Sequence, residues 1–526
     1  MQKNFNITLE HRHHPADPMA LCMDPQTTVL ARVCHWATHS PNRTFLQEVE
    51  GARRTYSETH DELLRWCAAL SERGIQRGDC VVSLLPQSID ACLVWLACAA
   101  LGAIAVPINR ELRGEFLRHV LRDAGPRLIF VRPEDAALLD AVTEIDAVPR
   151  IVLARGERFA ETCAFAAALS LPAPDDVAIV IYTSGTTGQA KGALVTWAQI
   201  AAMITRIPMG ALSASDVTYA PWPIFHVTGL SPLVTMAYFG GAVLFREKLS
   251  VSHFWDDVRR FRCTIATIAA AMPMLLAQPP REDDREHSLR FVFTIGGAMN
   301  IDFKRRFGGC LIGAYGSTEA SFPLVNLDMD ETTTNIAGWL RAGYEAKLCD
   351  GDGCEVESGK PGELWLRPPH PAMMFAGYLN RPDATAAAKV DGWYRTGDLL
   401  LRQPDGAFKF VDRIRDTIRR FGENISSTAM EYVVAAEKDV IECCVFGIPS
   451  PVCGQEVVLI LRTQDTAFDP ASFYQQLIPM LPKHMLPSYI ATVVEFPKTP
   501  TNKILKNALA ANFEKTQAWQ SPAAIR

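Results

Sequence analysis

Hydrophobic runs of strand length alternate with longer amphipathic segments through most of the chain. Runs such as 80-CVVSLL-85 and 177-VAIVIY-182 have the length of buried strands, and 61-DELLRWCAALSERG-74 carries apolar residues at helical spacing. Further strands are predicted at 128-LIFV-131, 150-RIVLA-154, 242-AVLF-245, 264-TIATI-268 and 291-FVFTI-295, and a further helix at 111-ELRGEFLRHVLRDAG-125. This alternation is typical of βαβ units, so we predict an α/β fold.

After about residue 335 the pattern changes to short strands between polar turns. Strands are predicted at 344-YEAKLC-349, 362-GELWLR-367 and 407-AFKFV-411. Beyond the charged stretch 412-DRIRDTIRR-420, an α+β pattern follows, with helices near 428–437 and 471–481 and strands at 440–448, 456–462 and 491–496. We therefore expect a large N-terminal domain (1–411) of α/β subdomains with a β-rich subdomain at about 335–411, a hinge (412–416), and a small α+β C-terminal domain (417–526).

One uncharged segment, 91-ACLVWLACAALGAIAVPI-108, is long enough to resemble a membrane span. Gly102 and Pro107 interrupt it, so we predict a buried helix to about Leu101, a tight turn and a short strand at 103–106 instead. The N-terminus lacks a basic region followed by an apolar run, so no secretory signal is expected.

Composition narrows the function without naming it. The 526 residues exceed what one hydrophobic core supports, and 48% hydrophobic with 21% charged residues is ordinary for a soluble globular protein. A net charge of -6 gives no reason to expect nucleic acid as a partner. The 14 cysteines have irregular spacing, which indicates reduced thiols and a cytoplasmic location. The tail histidines His11, His13 and His14 could bind a metal, although a solvated tail is the favoured interpretation.

The stretch 181-IYTSGTTGQAKGAL-194 has the chemistry of a phosphate cradle. Its glycine and lysine spacing does not fit the P-loop pattern GxxxxGK[ST]. Nevertheless, a buried strand leads into a turn in which hydroxyls and backbone N–H groups can donate, and glycines allow conformations closed to other residues. The predicted phosphate ligands are Thr183, Ser184, Gly185, Thr186, Thr187, Gly188 and Lys191. The alternative is an ordinary Ser/Thr/Gly-rich surface loop.

This stretch resembles the phosphate-binding loop of the adenylate-forming superfamily, which includes acyl-CoA synthetases, amino-acid adenylation domains and luciferases. The family string is close to YTSGTTGxPKG, and Ala190 replaces its usual proline. Other strings similar to those of the family follow in order: 222-WPIFHVTG-229, 296-GGA-298, 315-YGSTE-319, 392-GWYRTGDL-399, 412-DRIRD-416, 422-GENI-425 and 497-PKTPTNKILK-506. Their order makes the resemblance specific over almost the whole chain. Length and the TPTxK ending look like the crotonobetaine/carnitine-CoA ligase branch and its fatty-acid and aryl-acid neighbours.

The resemblance implies a reaction in two steps. A carboxylate attacks the α-phosphate of ATP and releases pyrophosphate, and a thiol, usually that of CoA, then displaces AMP from the acyl-adenylate. Catalysis must rest on cations and dipoles placed where charge builds. The implied roles are the adenylation cation for Lys503, a Mg²⁺ ligand for Glu319, a ribose acceptor for Asp398 and a nucleotide contact for Arg413. Further implied nucleotide contacts are Gly296, Gly297, Ala298, Tyr315, Gly316, Ser317 and Thr318.

The resemblance also implies a C-terminal domain that rotates between the two steps. It would bring Lys503 in for adenylation and the 422–425 loop in for thioester formation, with Arg415 as the pivot. Gly422 and Glu423 would line the pantetheine tunnel. Asn502 replaces the family's usual glycine next to Lys503, and asparagine tolerates left-handed conformations. Ordinary structural roles remain the alternative, such as a core aromatic for Tyr315 or a linker arginine for Arg415.

The acid itself is only partly indicated. Amino-acid adenylation domains usually carry FDxS where this chain has 225-FHVTG-229, so the acid is expected to lack a free α-amino group. By resemblance, His226 would gate the acyl pocket, which would include Val227, Gly229, Ala314 and Ala320. Trp222 could narrow that pocket, and a compact or ring-shaped acid is therefore a hypothesis.

Two classes of function remain open. The first is an ATP- and Mg²⁺-dependent carboxylate–CoA ligase acting on a small-molecule acid. The second is a stand-alone activating enzyme that loads a separate phosphopantetheine carrier protein. A nucleotide sensor without turnover is disfavoured, because every charged residue that the family chemistry needs is present. Whether the protein forms a homodimer is left open.

Overall fold

The computed structural model describes residues 18–522 except 141, 143–144, 158, 160–168, 184–189, 269–270, 298, 415, 421–422, 451, 465–467 and 500–502. The chain divides into two compact units. The first unit contains Met1–Ala346 and Leu366–Tyr394, and the second contains Lys347–Trp365 and Arg395–Arg526. The predicted hinge at 412–416 falls inside the second unit and stays a prediction.

Strands account for much of both units. In chain order they are β1 Thr44–Glu48, β2 Arg53–Thr55, β3 Cys80–Leu84, β4 Ile104–Pro107, β5 Leu128–Val131, β6 Arg150–Val152, β7 Val177–Thr183, β8 Lys191–Thr196, β9 Val217–Ala220, β10 Ala242–Phe245, β11 Ile265–Thr267, β12 Phe291–Thr294, β13 Cys310–Ser317, β14 Ser321–Asn326, β15 Trp339–Leu340, β16 Glu345–Cys349, β17 Gly362–Arg367, β18 Lys389–Val390, β19 Trp393–Arg402, β20 Phe408–Arg413, β21 Ile418–Arg420, β22 Glu423–Ile425, β23 Val440–Ser450, β24 Gly454–Thr463, β25 Tyr489–Thr492 and β26 Trp519–Gln520.

Helices lie between these strands. They are α1 Pro18–Cys22, α2 Val29–His39, α3 Tyr56–Glu72, α4 Ile89–Leu101, α5 Gly114–Ala124, α6 Ala136–Asp140, α7 Trp197–Ala201, α8 Val227–Phe239, α9 Phe254–Arg260, α10 Met272–Leu276, α11 Met299–Phe307, α12 Pro382–Ala388, α13 Ser427–Val434, α14 Pro470–Leu477 and α15 Lys506–Ala511. Local sequence fixes several ends. Helix α3 starts with a capping box in which Thr55 and Glu58 each bond the other's backbone N–H.

The first unit contains two largely parallel sheets, as the βαβ pattern predicts. One has the order β15-β14-β13-β12-β11-β9-β10-β1-β2, with β13 through β1 parallel and the edge strands antiparallel. The other has the order β6-β5-β3-β4-β7-β8, with only β8 antiparallel. Parallel neighbours need crossover connections, and helices α4, α5, α8 and α9 are placed between such strands along the chain. The α/β prediction is confirmed.

The long apolar segment behaves as its glycine and proline predict. Helix α4 has 13 residues, and Ser88 Oγ caps its start by accepting from Ala91 N. Gly102 ends it in the left-handed conformation with φ 69°, and β4 follows. Its one charged residue, Asp90, pairs with Arg132 at 2.8 Å. No helix among the described residues has both the length and the apolar character to cross a membrane.

The remaining sheets contain the β-rich and α+β patterns. One has the order β16-β17-β19-β18, with β20 also paired to β19, and the other has the order β22-β21-β24-β25-β26, with β23 paired to β24. In the second unit, β19 and β20 run antiparallel with Asp398 opposite Arg413. The strand predicted at 491–496 starts earlier and ends at Thr492, because it pairs with β24 only over residues 489–492.

Candidate active site

Glu319 lies in the tight turn between β13 and β14 in the first unit. Gly316 makes this turn possible, because a Cβ atom there would lie 1.7 Å from the carbonyl oxygen of Ser321. Ser321 is fully buried in the left-handed region with φ 56°, an unusual conformation for a residue other than glycine. The turn leaves Glu319 only 8% exposed. Backbone geometry therefore fixes a carboxylate where the sequence predicts a metal ligand.

Two tyrosines that the sequence analysis missed surround this carboxylate. The hydroxyl of Tyr378 donates to Glu319 Oε1 at 2.8 Å. Burial, followed by the nearby Glu319 carboxylate, raises the pKa of Tyr378, so the hydroxyl stays a neutral donor. Burial also raises the pKa of Tyr394 well above its ordinary value, with Glu319 and Tyr378 acting in the same direction and a hydrogen bond to Ser317 opposing them.

Lys191, the lysine of the predicted phosphate loop, contacts one of these two tyrosines. Lys191 Nζ is 4.7 Å from the ring centroid of Tyr378, a cation–π contact. Thr183 and Lys191 are partners across β7 and β8, and Thr183 Oγ1 donates to the carbonyl oxygen of Lys191 at 3.4 Å. The two ends of the predicted loop are thus fixed by strand pairing. Residues Ser184, Gly185, Thr186, Thr187 and Gly188 between them lie outside the described residues.

Other predicted nucleotide residues follow strands of the first sheet. Tyr315 is partly buried on β13 opposite Leu324. After β12, Gly297 N donates to the carbonyl of Thr334 at 2.8 Å, and Thr334 Oγ1 donates to the carbonyl of Gly297 at 2.5 Å. The side chain of Gln199 donates to the carbonyl of Thr318 at 2.7 Å. Among the other predicted nucleotide contacts, Gly296 is exposed to solvent. Ser317 Oγ accepts a hydrogen bond from Ala320 N at 3.2 Å.

The predicted acyl segment begins helix α8. His226 is the N-cap residue, and its Nδ1 accepts from Thr228 N at 3.2 Å. Gly229 permits close packing, because a Cβ atom there would lie 2.1 Å from the carbonyl of Pro223. Trp222 is buried, donates from Nε1 to the carbonyl of Thr267 at 2.6 Å and belongs to an apolar core. Of the remaining predicted pocket residues, Val227 and Ala320 are buried and Ala314 is partly buried.

Three predicted residues interact in the second unit. Arg413 Nε lies 3.3 Å from Asp398 Oδ1, and the Asp398 side chain is buried. Lys503 remains open to solvent, yet the protein around its side chain lowers the pKa of its ammonium group. Partial desolvation by the surrounding protein atoms is the largest cause, Arg413 adds to it and Asp398 opposes it. The expected ribose acceptor, nucleotide arginine and adenylation lysine are therefore electrostatically coupled within one unit.

A network that the sequence analysis missed fixes the chain beyond Lys503. Lys506 Nζ lies 2.8 Å from Glu431 Oε1 and donates to Ser427 Oγ at 2.8 Å. Ser427 N in turn donates to Asp412 Oδ2 at 2.6 Å. Burial raises the pKa of Glu431. Burial acts to lower the pKa of Lys506, but the charge and hydrogen bond of Glu431, with smaller contributions from Cys444 and Asp416, together raise it. The only available sequence signal was a second lysine three positions after the first.

Several predicted positions lie outside the described residues. They are Ala298, Arg415, Gly422 and the tail histidines His11, His13 and His14. The backbone of Glu423 begins β22 and pairs with Arg420. The assigned roles of these residues stay predictions.

Comparisons with known proteins agree with this architecture. The family described as AMP-binding enzyme matches residues 33–379, and the family described as AMP-binding enzyme C-terminal domain matches residues 429–503. The chain is 30% identical to sulfoacetate–CoA ligase of Cupriavidus necator over 497 residues, covering 91% of this chain and 96% of that one. It is 28% identical to crotonobetaine/carnitine–CoA ligase of Salmonella enteritidis, covering 88% and 95%. The structure of ATP-bound MatB from Rhodopseudomonas palustris superposes with a TM-score of 0.84 at 23% identity, covering 92% and 98%.

The two family matches and the CoA-ligase relatives, together with the two largely parallel sheets, identify an adenylate-forming enzyme. The chain belongs to the AMP-binding enzyme family. The prediction of an ATP-dependent acid–CoA ligase that works through an acyl-adenylate is confirmed at the level of enzyme class, with the acid unspecified.

Proposed function

We propose that this protein activates a carboxylic acid without a free α-amino group as its acyl-adenylate and transfers the acyl group to the thiol of CoA. The single observation that carries the residue assignment is the coupling of Asp398, Arg413 and Lys503 in the second unit. The relatives named as ligases of sulfoacetate, crotonobetaine and carnitine support CoA as the acceptor. Each of those acids lacks an α-amino group, in agreement with His226 at the position of the FDxS aspartate.

The first unit offers a fitting place for Mg²⁺. Glu319 uses Oε1 to accept from Tyr378, and no protein partner of Oε2 is found within the described part of the chain. Mg²⁺ is commonly held by one or two carboxylates together with waters and phosphate oxygens, and a single free carboxylate oxygen suits it. When bound, the ion would neutralise charge on the phosphates of ATP. Lys191 beside Tyr378 would add a cation for those phosphates.

Adenylation brings a carboxylate towards a polyanion, so charge compensation decides its rate. In our proposal Lys503 contacts the acid carboxylate and the α-phosphate, and Asp398 accepts from the ribose hydroxyls. Arg413 contacts the nucleotide and holds Asp398 by its ion pair. His226, whose Nδ1 is engaged by Thr228, would guard the acyl group near the forming adenylate. For the second step, CoA would approach along Gly422 and Glu423, with Arg415 as the pivot of a domain rotation.

The first experiment is acid-dependent exchange between ATP and pyrophosphate, without CoA, over short, branched, aryl, dianionic and quaternary-ammonium acids. Exchange with one class of acid is the expected result and names that class. Adding CoA should then give the acyl-CoA thioester and AMP. Absence of exchange with every class, in a folded protein that binds ATP, would reject adenylation and favour a nucleotide sensor.

A second assay distinguishes free CoA from a carrier protein as the acceptor of the acyl group. Free CoA and a phosphopantetheinylated carrier protein are offered in parallel to the preformed acyl-adenylate. Preference for CoA supports the ligase, whereas transfer only to the carrier would make the protein a loading enzyme. Homodimer formation is measured independently by light scattering.

A further inference from the structure

Arg206 is a buried cation with no anionic partner. It lies just after helix α7 in the first unit and is only 4% exposed. Its guanidinium lies over the ring of Phe293 at 3.9 Å and over that of Phe322 at 5.1 Å. Its Nε is fully buried and has no hydrogen-bond partner, and no carboxylate pairs with the side chain among the described residues.

A second buried arginine lies beside it. Arg341 is 5% exposed, donates from Nη1 to the carbonyl of Phe322 at 3.0 Å and from Nη2 to the hydroxyl of Thr205. It too has no carboxylate partner in the part of the chain that the structure describes. Burial, followed by repulsion from Arg341, lowers the pKa of Arg206 to about 9. The pair thus brings two positive charges into the protein interior with no carboxylate counter-charge among the described residues.

Burying this positive charge lowers the stability of the protein unless a bound anion compensates it. Arginine is almost never fully buried unless it is paired, and the desolvation of a guanidinium costs several kcal/mol even after relaxation. Two cation–π contacts recover only part of that cost. Two other arginines of the first unit show the usual solution: the buried Arg132 pairs with Asp90 at 2.8 Å, and the partly buried Arg246 holds Asp257 through two hydrogen bonds.

The position of Arg206 connects it to the acyl segments. Phe322 follows Ala320 of the predicted acyl pocket by two residues, and Phe293 lies three residues before Gly296, a predicted nucleotide contact. The helix before Arg206 also holds the Glu319 turn, since Gln199 donates to the carbonyl of Thr318 and Ser321 Oγ donates to the carbonyl of Gln199. Arg206 therefore lies against Phe322, which directly follows the Glu319 turn and Ser321 in the chain.

We propose that Arg206, supported by Arg341, selects acids that carry a second anionic group, a carboxylate or a sulfonate, at the end remote from the reacting carboxylate. This inference rests on the proposed ligase function and specifies its substrate class. A bidentate guanidinium fits either anion, since both present paired oxygens. An acid with a distal cation, such as a betaine, would be rejected because it would place like charges together in a low-dielectric site.

The test compares acids that differ only in distal charge. Pyrophosphate exchange is measured with malonate, succinate, glutarate and sulfoacetate, and with monomethyl succinate, methylsulfonylacetate and crotonobetaine as neutral and cationic counterparts. For the best pair, we expect the dianion to exceed its neutral counterpart about 100-fold in kcat/KM, as expected for a buried charge pair. Succinate and sulfoacetate distinguish the carboxylate from the sulfonate.

The variant Arg206→Met should remove that preference while keeping exchange with the neutral acid. Arg206→Lys keeps the charge and should retain part of the preference. Arg306→Met is the matched control, because Arg306 also stacks on a ring, that of Phe307 at 4.6 Å, but has Asp284 as its partner at 2.7 Å. The control should keep the wild-type preference.

A thermal-unfolding series separates selection from a structural role. Arg206→Met removes a charge that the free protein leaves unpaired, so its Tm should equal or exceed that of the wild type. Saturating dianion should raise the Tm of the wild type and not that of the variant. Equal or better wild-type exchange with the neutral or cationic acids would overturn the inference and leave the ligase function intact. A failure of the ligase function itself would appear as no exchange with any acid, and would overturn both.

Discussion

At the scale of single residues, protonation states decide what the site can bind. Glu319 is surrounded by neutral tyrosine hydroxyls, because burial keeps Tyr378 and Tyr394 from ionising. One carboxylate oxygen is therefore held by a donor, while the other has no protein partner among the described residues and is the proposed Mg²⁺ ligand. In the second unit, the surroundings of Lys503 lower the pKa of its ammonium group, so this cation loses its proton more easily than an ordinary lysine.

The hydrogen bond from Tyr378 should orient the Glu319 carboxylate. Tyr378→Phe should lower kcat/KM for ATP in the adenylation step by about 10-fold, the lower end for a hydrogen bond to a charged group, and raise the Mg²⁺ concentration needed for half-maximal rate. The matched control is Tyr219→Phe, which removes a tyrosine–carboxylate bond of 3.1 Å to Asp257 in the core. A control variant with the same change in Mg²⁺ dependence would show that the effect is general destabilisation.

The lowered pKa of Lys503 predicts an alkaline limit to adenylation. A base with a depressed pKa loses its proton at lower pH, and the proposed role needs the charged form. The kcat/KM of adenylation should therefore fall with a midpoint below 10.5, the ordinary value for lysine. Lys503→Arg should move this limb to higher pH, because arginine stays protonated. If the alkaline fall in kcat/KM stays at the same pH in this variant, another group is responsible for it.

At the scale of elements, the turn between β13 and β14 carries the first unit's predicted metal ligand. Its shape depends on backbone contacts that admit no side chain at Gly316 and on a left-handed Ser321. Helix α7 supports the same turn through Gln199. The carboxylate of the predicted metal ligand therefore depends on two consecutive strands and on a helix that lies more than 100 residues earlier in the chain.

Gly316→Ala should disrupt this turn. The added methyl group would overlap the carbonyl of Ser321, so the strands must move apart, at a cost of about 1–3 kcal/mol in the free energy of unfolding. The rate of adenylation should fall by more than the loss of folded protein accounts for, because Glu319 moves with the turn. Gly351→Ala is the control, because a Cβ atom there meets no neighbour within 4 Å. Urea unfolding and pyrophosphate exchange on both variants provide the measurement, and equal behaviour of the two would refute the steric argument.

At the scale of the whole molecule, the residues with proposed catalytic roles are divided between two compact units. Glu319 and Lys191 belong to the first, and Asp398, Arg413 and Lys503 belong to the second. The AMP-binding enzyme family covers most of the first unit, and its C-terminal domain ends at Lys503. We therefore expect that a substitution in the second unit can remove one half-reaction without the other.

Lys503→Ala should lower adenylation about 100-fold or more, because it removes the cation that offsets charge in that step. Thioester formation from supplied acyl-adenylate and CoA should remain largely intact. Single-turnover measurement of each half-reaction tests this. Equal loss in both half-reactions would contradict the proposed division of labour.

The sequence by itself determined the enzyme class, the alternating α/β elements and most candidate ligands, because strand length, helical spacing and ordered motifs are local properties. Helix α4, its glycine stop and β4 follow from residues 89–107 alone. The strand predicted to 496 ended at Thr492 because pairing, which is not local, decides where a strand ends. Only the tertiary structure placed Tyr378 against Glu319, Lys506 against Glu431 and Arg206 against two phenylalanines, with no carboxylate partner among the described residues. Such contacts join residues far apart in the chain, and burial, which sets their charge and energy, exists only once the chain is folded.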